Sequence, residues 1–223
     1  MFLQANYKVG YLNLIIFETL NKDESLYSYF FQLYKFLGIN PKDIPMDDDE
    51  TISYIANSKG AYPEPKRDNE SYTNDFETEL GKYIINTVNP KSFSELVRIS
   101  ALIHGVDAWE ENAEVLIEEG IADIKEVITT RDDIMNYLLS HGMDEYEASV
   151  IMDRVRKGRE LTDEMIKEMK EYRVPDWYIE SCNQLKYVFP RAHVVHYVMM
   201  YLRMIWYKIH YPAEYEKVIC MQN

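Results

Sequence analysis

From Phe76 onward the chain is a succession of apolar-periodic segments, each stopped by Gly or Pro before the next begins. FETELGKYIINTV runs into Pro90, SFSELVRISALIHG ends on Gly105, DAWEENAEVLIEEG on Gly120, and RDDIMNYLLSHG on Gly142. DEYEASVIMDRVRKG closes on Gly158, LTDEMIKEMKEYRV stops before Pro175, and DWYIESCNQLKYVF stops before Pro190. Short segments of helical period with such tight junctions fold back on one another, so the pattern predicts a packed all-α domain. IADIKEVITT is read as helical too, leading into Arg131. Ser92 with Glu95 three residues on has the form of a capping box, and Thr162 that of an N-cap. Segment lengths and junctions differ, so no fixed-period repeat is present.

The N-terminal third is less regular. YKVGYLNLIIF fits either a short buried strand or the start of a helix. ESLYSYFFQLYKFLGIN is an amphipathic helix with Gly38 as its left-handed cap. Asp47 to Glu50 suit a helix start, where carboxylates meet the positive end of the dipole. Residues 58–74, SKGAYPEPKRDNESYTN, are polar, aperiodic and hold two prolines, the signature of an exposed loop. The expected organisation is therefore an N-terminal segment over 1–56, a loop over 57–75 and a helical domain over 76–223.

A hydrophobic fraction of 47% is enough to fill a core. Cys182 and Cys220 lack metal-ligand spacing and are expected as reduced thiols in a cytoplasm. No run approaches the roughly 18 apolar residues that cross a bilayer, and no secretory leader pattern opens the chain. The expectation is a cytoplasmic protein with no membrane partner.

The net charge of −14 argues against nucleic acid as a partner, but its distribution does not. Residues 151–210 carry 11 Lys/Arg against 8 Asp/Glu, and no acid at all lies between Ser181 and Ala213. There the sequence reads FPRAHVVHYVMMYLRMIWYKIHYP, cations and flat rings without a carboxylate. Arg191 and His193 fall in the first turn after Pro190, where side-chain charge and helix dipole add, and Tyr197 lies one turn on. Plainer readings stand beside this one. His193 and His196 fit packed, hydrogen-bonded imidazoles; Arg131, Asp132 and Asp133 fit a helix start with a surface ion pair worth under about 1 kcal/mol. Arg154, Arg156 and Lys157 fit cations at a helix C-terminus, and the three tryptophans fit core positions. His104 and Asp107 have the spacing of a phosphohydrolase pair, which one His and one Asp do not complete.

SFSELVRISALIHGVDAW, TTRDDIMNYL, RVRKGRELTDEM, VPDWYIESC and KYVFPRAHVVHY, in this order, resemble the fingers region of the PolC-type alpha subunit of bacterial DNA polymerase III. The likeness covers roughly residues 76–215, and FLGINPKDIPMDDDE is similar to the segment just upstream in that family. It implies a fingers module that meets the incoming deoxynucleotide, with magnesium, and primer-template DNA, alone or with other replisome subunits. Arg131, Arg191, His193 and Tyr197 would then serve the nucleotide. Arg154, Arg156, Lys157 and Lys186 would contact phosphate or template. The alternative is a diverged helical module for protein interaction, with no nucleotide binding. The resemblance places the palm carboxylates, which hold two metal ions in such enzymes, upstream of the portion present here. No catalytic or metal-ligating residue is therefore expected in this chain, nor polymerisation by it alone. Two departures from the family pattern stand out: a GIPEFG-like stretch is missing before Asp75, and AHAAAY has become Ala192-His193-Val194-Val195-His196-Tyr197.

Overall fold

The computed structural model describes residues 24–57 and 75–222, and these form an all-α architecture. The YKVGYLNLIIF segment and most of the polar loop lie outside the described residues. Helices α1 (Glu24–Leu37) and α2 (Asp49–Asn57) precede the loop; α3 (Glu79–Val88), α4 (Phe93–His104) and the short α5 (Glu114–Glu118) follow it. Then come α6 (Arg131–Ser140), α7 (Glu145–Val155), α8 (Asp163–Glu171), α9 (Asp176–Gln184), the 20-residue α10 (Arg191–His210) and α11 (Pro212–Gln222). Among the described residues no helix is long and apolar enough to cross a membrane.

α10 is the spine. Its Val194, Val198, Leu202 and Ile205 enter the main core beside Leu96, Ile99 and Leu102 of α4. Its Met200 and Tyr207 enter a second core with Tyr29, Phe30 and Leu33 of α1 and Tyr215, Val218 and Ile219 of α11. The fully buried Tyr207 donates its hydroxyl to the Ile39 carbonyl at 3.0 Å, tying the chain just after α1 to the middle of the fold. The spare bulk of Val194, where the resembled family has alanine, goes into the core and leaves the His193 side open.

The expected helix starts are present. Thr162 accepts from the Met165 N–H at 3.3 Å, and Gly38 ends α1 in the left-handed region with its N–H on the Tyr34 carbonyl. Ser92 caps Glu95 N at 3.2 Å, but the Glu95 carboxylate turns past Ser92 to accept from the Lys91 N–H at 2.6 Å, so only half of the capping box forms. Gly105 closes α4 in extended rather than left-handed backbone. What position 105 requires is room, because a Cβ there would lie 2.5 Å from that of Ala108.

Two helical expectations fail. In DAWEENAEVLIEEG the backbone breaks at Glu110 and Glu111, the latter left-handed, and only Glu114–Glu118 is α-helix. Trp109, Asn112 and Ala113 are buried and Glu110 and Glu111 exposed across the break, and the Asn112 amide donates to the Asp107 carbonyl at 3.1 Å. IADIKEVITT forms turns, not helix. Its Asp123 and Glu126 carboxylates accept loop N–H groups, and its Ile124 and Val127 carbonyls face inward to a buried arginine. Side chains of this kind compete with the helical backbone for its own hydrogen bonds.

Candidate functional site

The segment joining α9 to α10 is stitched to two helix ends. Val106, just past α4, pairs with Tyr187 in an isolated antiparallel bridge, its N–H on the Tyr187 carbonyl at 3.0 Å. The Arg131 N–H, at the start of α6, reaches the Phe189 carbonyl at 3.1 Å, and the Arg191 N–H reaches a carboxylate oxygen of Asp132 at 2.7 Å. The N-termini of α6 and α10 are thereby brought together, with Arg131, Arg191 and His193 at one corner.

Beneath that corner lies a buried ion cluster. Asp133 reaches back to its own N-cap: one oxygen accepts from the N–H and hydroxyl of both Thr129 and Thr130, at 2.7 to 3.0 Å. Its other oxygen accepts from Arg98 at 2.8 Å and from Arg191 in a still closer contact. Arg98, only 8% exposed, also donates to the Val127 carbonyl at 2.6 Å and, by its Nε, to the Ile124 carbonyl. Burial alone would push the Asp133 carboxyl up. The Arg98 charge, the Thr129 hydroxyl, the Arg191 charge and the Thr130 N–H outweigh it and hold the group below the ordinary carboxylate value. The reading of Asp133 as half of a surface ion pair is therefore wrong. Its signals were legible: Thr-Thr three and four residues before an acid at a helix start, and one arginine inside the apolar run LVRIS.

Around the cluster runs a ladder of rings. Phe189 stacks on His193 with centroids 5.7 Å apart and planes 11° from parallel, and His193 meets Tyr197 edge-on at 5.0 Å. Tyr187 and His104 close on Phe189 edge-on at 4.8 and 5.7 Å. His193 and Tyr197 face solvent. His104 is not paired with Asp107: its Nε2 shares a carboxylate oxygen of Asp75 at 2.8 Å with the buried Ser100 hydroxyl. The Asp75 hydrogen bond raises the His104 pKa, against burial, which lowers it.

The expected site residues thus differ in availability. The Arg131 guanidinium makes no hydrogen bond or ion pair with the described residues and stands half-exposed at the α6 start. Arg191 is tied to Asp133, yet its side chain remains 40% exposed. Arg156 and Lys157 both close on Asp153 at 2.5 Å, and Arg154 donates to the Glu160 carbonyl. Lys186 is exposed and lies beside Gly158, whose left-handed backbone passes so close that a Cβ would sit 2.5 Å from the Lys186 carbonyl oxygen. Lys186 is therefore near the cations that end α7. His196 is half-buried with its Nδ1 unpartnered, and burial lowers its pKa. Among the described residues no three His, Cys, Asp or Glu side chains converge as a metal site, and Asp133 has no lone pair to spare for one.

Residues 27–173 match the family model of the bacterial DNA polymerase III alpha subunit finger domain. The chain belongs to that family. A PolC-type DNA polymerase III of Thermotoga maritima is 41% identical over 213 residues, 94% of this chain and 15% of the relative. Those of Caldanaerobacter subterraneus and Staphylococcus aureus are 43% and 41% identical, each over 80% of this chain and 13% of theirs. The chain therefore spans about one seventh of the length of the curated relatives it matches. Within this fingers family the model match includes Arg131, Asp133 and the α7 cations but ends before α9, so Arg191, His193 and Tyr197 lie beyond it.

Proposed function

We propose that this fingers module receives the triphosphate of an incoming deoxynucleotide, with its magnesium, and the adjacent template, for a polymerase whose catalytic carboxylates lie outside this chain. The observation that carries the reading is the meeting of two helix N-termini under Arg131, Arg191 and His193. The two helix dipoles there favour an anion, although their first N–H groups are spent on Phe189 and Asp132, and two guanidinium groups add charge suited to phosphate oxygens. Arg131 has the greater freedom; Arg191 is held in place by Asp133 and presents what exposure remains. The Phe189–His193–Tyr197 ladder offers flat surfaces for a base or sugar. Arg154, Arg156, Lys157 and Lys186 form a second cationic tract for template phosphates.

The test is titration of the chain with a deoxynucleoside triphosphate and Mg²⁺, read by tryptophan fluorescence, with and without primed DNA. Affinity should fall steeply with salt and drop at least about tenfold in Arg131→Ala, the loss of one charge-assisted contact to phosphate. That variant keeps the backbone bond to Phe189, so the fold is retained. Salt-independent binding, or binding unchanged in Arg131→Ala, would overturn the reading. One observation favours the alternative of a protein-interaction module without nucleotide work: Arg191, Arg156 and Lys157 are all already engaged by carboxylates of the same chain.

A further inference from the structure

A strongly acidic stretch runs from Asp107 to Glu126. Eight acids stand there against Lys125 alone, half of the net charge of −14. Lys125 reaches away, to Glu95 at 3.4 Å. Within this stretch the turn after α5 and the C-terminal end of α3 enclose an open groove of about 310 Å³. Its walls are Val88, Ile117, Ala122 and Ile124, and Ile121 stands at its mouth, 47% exposed. Val115, 39% exposed, lies half a turn before Ile117 on α5.

The rim is acidic and pre-set. Asp123 spends one oxygen on the Lys125 N–H and Glu126 spends one on the Asp123 N–H, which fixes both carboxylates with an oxygen to spare. The Glu119 carboxylate, one residue before the groove lining, makes no hydrogen bond or ion pair with the described residues. Glu118, with Glu114, accepts from the Tyr83 hydroxyl, whose pKa is pushed up to about 12 by these bonds. The groove lies at the small end of the ~300–1,000 Å³ typical of ligand clefts, too little for an extended ligand and enough for an anchoring side chain.

We infer that this groove docks a basic protein segment: one aliphatic side chain enters between Val88, Ile117 and Ile121, while flanking lysines or arginines meet Glu119, Asp123 and Glu126. Charge decides the class of partner. A phosphate backbone is repelled by a stretch with seven net negative charges, whereas a cationic peptide is steered to it. The apolar walls decide the register, because charge alone fixes no geometry. The inference stands independently of nucleotide binding at the α6–α10 corner.

The test uses the full chain with labelled isoleucine and valine methyl groups. The probe is a short capped peptide of one leucine flanked on both sides by lysines and arginines, and its twin carries alanine in place of leucine. Docking predicts saturable methyl shifts at Val88, Ile117, Ile121 and Ile124, and little change elsewhere. Binding should weaken about tenfold in the Glu119→Lys, Asp123→Lys double variant, as for loss of two rim charges. The alanine twin should bind several-fold more weakly, the effect of losing a buried branched side chain. Equal affinity of the two peptides would reduce the effect to general charge attraction and overturn the proposal. So would shifts located outside the groove, an unchanged affinity in the double variant, or the same methyl shifts appearing with protein concentration alone, which would make a second copy the occupant. Ile121→Gln, at an exposed position, checks the anchor without loss of fold: its methyl spectrum should match the parent away from the groove and its affinity should fall.

Discussion

Asp133→Asn isolates the buried cluster that organises the α6–α10 corner. The substitution keeps the shape of the side chain but removes the charge facing Arg98 and Arg191, and places an amide N–H₂ either against the two arginines or against the Thr129 and Thr130 N–H groups, which only donate. Arg98 is 8% exposed, so its charge cannot turn to water. Breaking such a pair from one side typically costs about 3–5 kcal/mol. The carbonyls of Ile124 and Val127 still solvate Arg98, which puts the expectation at the lower end, about 3 kcal/mol. With a urea slope of about 3 kcal/mol/M, such a loss moves the unfolding midpoint down by about 1 M. Urea titration followed by tryptophan fluorescence and circular dichroism measures it. Arg191→Met, at a 40% exposed partner, should cost about 1 kcal/mol or less. The acid limb gives a second reading. The folded-state pKa of Asp133 is depressed, so its contribution is present above the unfolded value of about 3.9 and is lost as pH falls through the lower folded value. The parent should therefore lose stability more steeply than Asp133→Asn below about pH 4. A midpoint within about 0.3 M of the parent, or parallel acid limbs, would refute the claim that this carboxylate is charged and holds the two arginines.

Two further outcomes are expected. The His104 pKa is raised by Asp75, so the contact stabilises fully below the unfolded value of about 6.5 and fades as pH rises through the folded value; an NMR titration should show the raised pKa in the parent and its return toward 6.5 in Asp75→Asn, with only a small stability change because the imidazole is 39% exposed. Gly158→Ala should destabilise by about 1–2 kcal/mol or more, since φ is +66° and the new Cβ meets the Lys186 carbonyl at 2.5 Å, and a thermal melt that did not fall would contradict that geometry.

How much was legible depended on range. Thr162 and Gly38 act within a few residues of themselves, and the structure has them as the sequence predicts. The helical content after Phe76 was legible from period and stops for the same reason. The half-formed capping box at Ser92 is a local failure, and the larger ones are long-range. Residues 121–130 carry an acceptable helical pattern, but two carbonyls there are claimed by Arg98, 26 and 29 residues away. Asn112, just after the break at Glu110 and Glu111, exchanges hydrogen bonds with Ser181, 69 residues away. At the candidate site the sequence pointed to Arg131, Arg191 and His193, but not to what makes them a corner. That is a carboxylate 58 residues before Arg191 and the bridge from Val106 to Tyr187.

The sequence by itself determined the helices and their stops, the family, and the placement of cations and rings in one acid-free stretch, because these rest on composition and near-neighbour spacing. The tertiary structure alone decided which charges are spent and which remain. Asp133, read as a surface acid, became the buried anchor of Arg98 and Arg191, and a segment read as helix became a turn beside an acid-rimmed groove. Pairing energies depend on burial and on partners remote in sequence, and those exist only once α6, α10 and the 121–130 turn have packed together.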